Sequence, residues 1–514
     1  MKEPVRSPMI QVSTPPVTQA FRRTKMICTI GPASENPDCI RGLIREGMNV
    51  ARINFSHCKY DEALARLKML REARAEMGVP LAIMLDTKGP EVRMFGYSRP
   101  VALAKGDTLY IESTDKQPDQ VAELPPEDKR FYTNLPRINK LCRVGSRVLL
   151  QDGFIEAEVT QLHEAFPGAV SVRVLNEGRL KDKAHLAVPG ADYPIPFMSD
   201  KDRADIRFAV ENDFEYIALS FVRTSRDIGD VRDLIKSVDP ASGIRLIAKI
   251  EDKQALANIY DIIRDSDGIM IARGDLGIEV PIEDLPGLQK NIIKRCYLAG
   301  KPVIVATQML ESMTDKPYPT RAEVTDIANA VLELASVVML SGETANGAHP
   351  ERVANMMGRI IDRAEAGIDY RTLARITHDY VERDNITNIM AYSSVDTAHD
   401  WNAKAIAVVT ASGIGARALS KFRPIIPIYA FTHHEQVYHQ MSLNWGVTPF
   451  LIEDPDSQRF SDVAKRIMDL LKKRGAIANG DKLVFMASSP FGKGRPTNTM
   501  RCEVVGDNAF HDET

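Results

Sequence analysis

The stretch IRLIAKIEDKQALANIYDIIRDSDGIMIARGD, residues 244–275, decides the fold. It holds two apolar runs, IRLIAKI (244–250) and GIMIA (268–272), separated by a helical pattern. Neither run alternates polar with apolar residues, which is the pattern of parallel strands covered on both faces. Each run ends in polar residues: Lys249-Ile250-Glu251 after the first and Arg273-Gly274-Asp275 after the second.

Working outward, six more runs of the same kind appear: KMICTI (25–30), NVARINF (49–55), LAIMLD (81–86), YIALSF (216–221), PVIVAT (302–307) and SVVMLS (336–341). Amphipathic stretches such as 60–77, 226–237 and 321–333 lie between them. Eight strands alternating with helices predict an α/β chain built on a (β/α)8 barrel. Roughly 130 residues separate the third run from the fourth. Their short strands (101–113, 146–160 and 169–178), with Gly and Asp at the turns, predict a small β-barrel inserted at a βα loop. Past residue 365 the rhythm restarts with strands at 404–410, 427–431, 447–452 and 482–487, predicting an open parallel α/β sheet. The expected division is a mobile tail (1–20), a barrel (21–88 and 189–365), an inserted lid (89–188) and a C-terminal α/β domain (366–514).

Composition narrows the function. A net charge of -3 gives no basic field to hold nucleic acid by counterion release. With 6% aromatics there is little material for base-stacking platforms. The six cysteines are scattered with no CxxC pair, so a zinc ribbon or redox dithiol is not expected. The first twenty residues lack an apolar core for a secretory signal, and no run approaches a membrane span. A cytoplasmic, membrane-free protein is the expectation.

A (β/α)8 barrel carries its chemistry at the C-terminal ends of its strands. Those ends read Arg52-Ile53-Asn54-Phe55-Ser56-His57, Asp86-Thr87, Ser220-Phe221-Val222-Arg223, Lys249-Ile250-Glu251, Arg273-Gly274-Asp275, Thr307-Gln308 and Ser341-Gly342-Glu343-Thr344, with Arg93 shortly after the third. Glu251 and Asp275 are hard oxygen ligands on adjacent strands and suit Mg2+ or Mn2+. Arg52, Arg93, Arg223 and Lys249 suit phosphate oxygens. Asn54, Ser56, Asp86 and Thr87 carry one formal charge among them and suit a monovalent ion. Any one of these carboxylates alone reads as a cap or a salt bridge; the set together reads as phosphoryl transfer.

These residues sit in motifs that resemble the pyruvate kinase family over nearly the whole chain: CTIGPAS, ARINFSH, LDTKGPEVR, SFVR, AKIE, MIARGDLGIE, ATQMLESM, PTRAEVTDIANAV and MLSGETANG, in family order and spacing. The resemblance implies a homotetramer converting phosphoenolpyruvate and ADP to pyruvate and ATP. It implies Glu251 and Asp275 as ligands of Mg2+ or Mn2+, and Asn54, Ser56, Asp86 and Thr87 as ligands of K+. It implies Lys249 and Arg52 on the transferring phosphoryl group, and the Gly274 backbone, with Asp275, at the substrate carboxylate. Thr307 would serve a proton relay with Ser341 and Glu343 nearby. Asn54, Phe55, Ser56, His57 and Arg93 would border the nucleotide. Glu91 is the residue type that accompanies a K+ requirement in the family.

Two places depart from the pattern. The hinge reads Lys183-Ala184-His185-Leu186-Ala187-Val188-Pro189-Gly190, so the family's nucleotide-contacting lysine falls on Ala184 and its glycine on His185. The usual paired aspartates of the lid are Gln151-Asp152. In the C-terminal domain, Gly413-Ile414-Gly415-Ala416-Arg417-Ala418 reads G-x-G-x-x-A, a dinucleotide fingerprint. The acid expected after the next strand is missing: that strand ends Phe431-Thr432-His433-His434. The resemblance instead implies an effector-phosphate loop at 410–415, involving Thr410, Ser412, Gly413 and Gly415. That loop offers few hydroxyls and no cation, so a phosphorylated activator with one phosphate is expected over a bisphosphate. Lys493 and Arg495, in the glycine-rich loop 490–496, could add positive charge to it. A nicotinamide-dependent enzyme and an inactive sensor remain the competing classes.

Overall fold

The computed structural model describes residues 22–506 except His57, 117–119, 122–124, 126–127, 379–384, 456–458, 490 and 492–495. The expected N-terminal tail, His57, Lys493 and Arg495 therefore lie outside the described residues.

Eight strands close a parallel barrel: β1 (Lys25–Thr29), β2 (Met48–Asn54), β3 (Ala82–Asp86), β4 (Tyr216–Leu219), β5 (Arg245–Ile250), β6 (Gly268–Ala272), β7 (Val303–Ala306) and β8 (Val337–Leu340). Each pairs with its successor, and β8 pairs back to β1. All eight expected strands are present, within one or two residues at each end. Register places Asn54 beside Asp86 and Lys249 beside Met270, so the strand ends stand level around one mouth.

The inserted segment is a second closed barrel, of seven short strands between Arg93–Phe95 and Ala184–Ala187, with a separate two-stranded ladder at its side. It has its own core, built on Leu109, Ile111, Val148, Val170 and Leu186.

The C-terminal sheet holds β9 (Ala405–Val409), β10 (Ile428–Thr432), β11 (Val447–Leu451), β12 (Lys482–Ala487) and β13 (Thr499–Val504), in the order β11-β10-β9-β12-β13. Four strands are parallel as expected, but β13 is antiparallel to β12. Its sequence TMRCEV leaves most positions half-buried, so an edge strand there carries no apolar run to betray it.

The C-terminal domain closes the floor of the first barrel. Leu443 joins the interior layer formed by Ile27, Val50, Tyr216, Ile247 and Val337. The Tyr216 hydroxyl donates to the Gln440 carbonyl at 2.7 Å, and Gln440 Nε2 donates to the Gly243 carbonyl at 2.8 Å. Lys25 Nζ donates to the Val447 carbonyl at 2.8 Å. No helix among the described residues is long and apolar enough to cross a membrane.

Candidate active site

The barrel mouth is organised around Lys249, which arrives on β5 almost fully buried. Its ammonium donates to Ser220 Oγ at 2.7 Å and lies 3.3 Å from Asp86 Oδ1 and 3.0 Å from Glu251 Oε1. Burial works to discharge the ammonium, but Asp86 and Glu251 outweigh it and hold the lysine charged. Arg52 Nε donates to Asp86 Oδ2 at 2.6 Å, and its Nη1 donates to Thr29 Oγ1 at 2.9 Å. Burial alone would raise the Asp86 carboxyl; Arg52 and Lys249 reverse this and hold it below the ordinary carboxylate value.

Glu251 and Asp275 behave oppositely. Burial, joined by the charge of Asp275, pushes Glu251 up to about 7. Burial, joined by Glu91 and Asp152, pushes Asp275 up as well. At both acids burial and neighbouring carboxylates outweigh the pull of the Lys249 ammonium. This donor set fits a divalent ion, because carboxylates on adjacent strands would shed their mutual repulsion on its binding. Among the described residues no cluster of three or more His, Cys, Asp or Glu side chains forms a metal cage. The remaining ligands would be substrate oxygens and water, the habit of Mg2+. The monovalent donor set also fits. Asn54 Oδ1 accepts from the Ser56 amide at 3.0 Å and Thr87 Oγ1 from the Ser220 amide at 3.1 Å, placing neutral oxygens beside Asp86.

Thr307 follows β7 with φ at 67°, and Gln308 at 53°, both left-handed. The Thr307 hydroxyl donates to the Ala306 carbonyl at 2.6 Å and accepts from the Gly274 amide at 2.9 Å. The Gly274 N–H expected to receive a substrate carboxylate is thus already bonded to Thr307. Arg273, given no role by the sequence, begins helix α1 (Arg273–Glu279) and donates to the carbonyls of Thr307 at 2.7 Å and Ala306 at 3.3 Å. Its Nη1 is anchored on Asp326 at 2.6 Å.

Other expected residues are placed differently. Glu343 is fully buried, and its two oxygens accept from the backbone amides of Leu310 (3.1 Å) and Ser341 (2.6 Å). It staples the loops after β7 and β8 together. Ser341 Oγ is buried without a hydrogen-bond partner. The Phe55 ring is fully buried against Phe208, centroids 5.6 Å apart, so only its backbone can face a nucleotide. Arg93 forms a two-pronged pair with Glu91 at 2.5 and 3.1 Å, and Nη1 donates to the Lys183 carbonyl at 3.0 Å.

His185 lines the cleft between lid and barrel together with Phe221, Arg223, Glu251 and Asp275. Its Nδ1 is 3.8 Å from Asp152 Oδ1 and makes no hydrogen bond. Burial lowers its pKa against the pull of Asp152. Glu279 reaches across the same cleft, accepting from the Gly190 amide and lying 3.4 Å from the Tyr193 hydroxyl.

The glycines of the dinucleotide-like fingerprint have local explanations. Gly413 holds φ at 76° before helix α3 (Ile414–Lys421), after α2 (Leu285–Ala299) of the barrel. A Cβ on Gly415 would lie 3.1 Å from Val408 Cγ2, so the helix could not approach β9. Thr410 Oγ1 accepts from the Gly413 amide at 3.0 Å, and the Ser412 carbonyl accepts from Arg245 Nη2 at 2.5 Å. The loop therefore rests on the first residue of β5, the strand that carries Lys249.

The chain matches the family described as pyruvate kinase, barrel domain, over residues 21–354, and the pyruvate kinase alpha/beta domain over 388–502. It is 39% identical over 488 residues to a pyruvate kinase of Geobacillus stearothermophilus, covering 95% of this chain and 81% of the relative. A pyruvate kinase of Sporosarcina psychrophila is 37% identical over the same shares. The crystal structure of a pyruvate kinase from Cryptosporidium parvum superposes with a TM-score of 0.86 at 37% identity, covering 94% of this chain and 96% of that one. On this combined match of sequence and fold, the chain belongs to the pyruvate kinase family.

Proposed function

We propose that the chain is a pyruvate kinase, moving the phosphoryl group of phosphoenolpyruvate to ADP to give pyruvate and ATP. The observation that carries the reading is Lys249, held charged among Asp86, Glu251 and Ser220 with Arg52 beside it. In the transfer the bond from phosphorus to the enol oxygen breaks and a bond to the terminal ADP oxygen forms. The enolate left behind takes a proton on carbon. Lys249 and Arg52 stabilise the group in transit, and Lys249 also stabilises the enolate; fixed charges placed where negative charge develops are the largest electrostatic aid to such a step. Thr307 orients the proton donor, because a hydroxyl of ordinary acidity is too weak to give the proton alone. Ser341 and Glu343 support it by shaping the neighbouring loops.

Glu251 and Asp275 would hold Mg2+ or Mn2+, which when bound supplies positive charge to the phosphoryl and enolate oxygens. Asn54, Ser56, Asp86 and Thr87 would hold K+. Asn54, Ser56, His57 and Arg93, with the Phe55 backbone, would border ADP. The substrate carboxylate would meet the first turn of α1 at Gly274 and Asp275, exchanging with the Thr307 hydroxyl for the Gly274 amide. The proposed domains are the barrel (21–88 and 189–365), the lid (89–188) and the C-terminal domain (366–514). Cytoplasmic homotetramers, regulated by a phosphorylated effector at 410–415 through the Arg245 contact, complete the reading.

The test is pyruvate formation from phosphoenolpyruvate and ADP, followed with a coupling enzyme, beside NADH absorbance without it. Pyruvate formation that needs ADP and divalent metal supports the reading. NADH consumption without the coupling enzyme favours a nicotinamide enzyme, and inactivity in both favours a sensor.

A further inference from the structure

Where the floor of the barrel meets the C-terminal domain, one narrow cleft is lined by Lys301, Arg417, Lys421 and Arg423. Among the described residues no Asp or Glu lines it. Lys301 follows α2 of the barrel, Arg417 and Lys421 lie four residues apart on α3, and Arg423 comes just beyond that helix. Like charges at this helical spacing repel. The stem of Lys421 is pressed into the seam: a Cβ on Gly300 would lie 3.3 Å from its Cδ.

Two lining residues, Arg423 and Asn444, hold buried donors without an acceptor. Arg423 is 3% exposed, and its Nη2 donates to the Leu334 carbonyl and to Ser336 Oγ, each at 3.0 Å. Its Nε and Nη1 are buried with no acceptor, and so is Asn444 Nδ2 from another wall of the cleft. The Trp445 and Tyr297 rings lie 4.5 and 5.8 Å from the Arg423 guanidinium carbon and take up part of its charge, but a ring face does not replace an in-plane acceptor. Arg417 forms no ion pair among the described residues; Asp267 attracts it from outside the cleft lining, and Arg245 adds a like charge nearby. Burial first, then Arg245, lowers Arg417 to about 10; burial brings Arg423 to about 10 as well. Lys301 donates to the Arg264 and Ser266 carbonyls at 3.2 and 2.6 Å, neutral acceptors that leave its charge in place.

We propose that this cleft binds a small tetrahedral oxyanion, either inorganic phosphate or the head group of a phosphate monoester, and that the anion ties the C-terminal domain to the barrel floor. Such an ion brings only acceptors and negative charge to a lining that carries four cations and no carboxylate, and guanidinium groups bind it through paired N–H donors. The cleft shares no residue with the 410–415 loop or with the barrel mouth.

The experiment is thermal unfolding of the full chain in a phosphate-free buffer, titrated with sodium phosphate, with glycerol phosphate, and with sodium chloride at matched ionic strength. A ligand of the native state raises the midpoint in a saturable way. The expected result is a rise of about 2 °C or more with phosphate, unmatched by chloride. Lys249→Met should keep that rise, because its phosphoryl-binding mouth lies elsewhere; Arg417→Gln and Arg417→Glu should lose it. Arg417→Glu should also unfold no lower than wild type without phosphate, since its carboxylate supplies the missing anion. An equal response to glycerol phosphate identifies the ligand as a monoester head group, and a response to inorganic phosphate alone identifies the free ion. A rise that chloride reproduces, that Lys249→Met abolishes, or that survives in both Arg417 variants overturns the proposal.

Discussion

Arg273 donates to the Thr307 carbonyl at 2.7 Å, so a guanidinium at the end of β6 holds the turn after β7. That turn places a β-branched residue at φ 67°, a conformation costing on the order of 1–3 kcal/mol unless its surroundings impose it. Arg273→Lys keeps the charge facing Asp326 but loses the fork that reaches two carbonyls. The expected result is a fall in kcat of about 10²-fold, the cost of a small misplacement of a reacting group, with the KM for phosphoenolpyruvate nearly unchanged. Steady-state kinetics beside a thermal melt check it. An unchanged kcat in a folded variant would show that the turn holds itself.

Lys249→Met removes the charge that Asp86 and Glu251 share. The expected loss in kcat is about 10³-fold or more. Single-turnover measurement at saturating substrate separates this from weaker binding. A variant with near-normal kcat would sink the assignment of Lys249.

Dependence on K+ tests the second cation site. Wild type should lose about tenfold or more in kcat/KM when K+ is exchanged for a large organic cation at equal ionic strength, about 1.4 kcal/mol. Glu91→Lys should reduce that dependence by placing an ammonium in the same region. It also breaks the pair between Glu91 and Arg93, so the KM for ADP should rise. Full activity in buffer free of K+, Na+ and NH4+ would show that the oxygen set is no functional cation site.

Two buried carboxyls should contribute less to the stability of the metal-free protein as pH rises. Burial pushes Glu279 up to about 7 from an ordinary 4.5, and Glu251 rises to about 7. Between about 4.5 and 7 these two carboxyls therefore bind more protons in the folded chain than in the unfolded one, and their contribution to stability declines across that window, while His185, His399 and His439, lowered by burial, act with the opposite sign below 6.5. Asp86, held below its ordinary value, acts with the opposite sign and only at lower pH. Unfolding midpoints measured in chelator across this range, wild type against Glu279→Gln, should show the Glu279 share of that decline. Superimposable profiles for the two proteins would remove Glu279 from the account.

The eight barrel strands were legible because each is buried on both faces and so writes a continuous apolar run. β13 was not, because half-burial at an edge leaves no such run. Lys249, Glu251 and Asp86 were legible from their place at strand ends, and the structure puts the Lys249 ammonium within 3.3 Å of both carboxylates. Arg273 was hidden because its partners Thr307 and Asp326 lie 34 and 53 residues further along the chain. Glu343 and the Gly274 amide show the converse: their position in the motif was readable, but the partners that occupy them exist only once neighbouring strands are closed.

Leu443 enters the interior of a barrel to which its own domain contributes no strand. The catalytic module is thus a vessel whose stopper is made elsewhere. Cutting the chain after the barrel would leave an apolar well open to water beneath the reaction centre, and grafting the C-terminal module of a relative would succeed only with a stopper of matching bore. A sequence that looks like detachable modules in tandem is, at this one leucine, a single mechanical part.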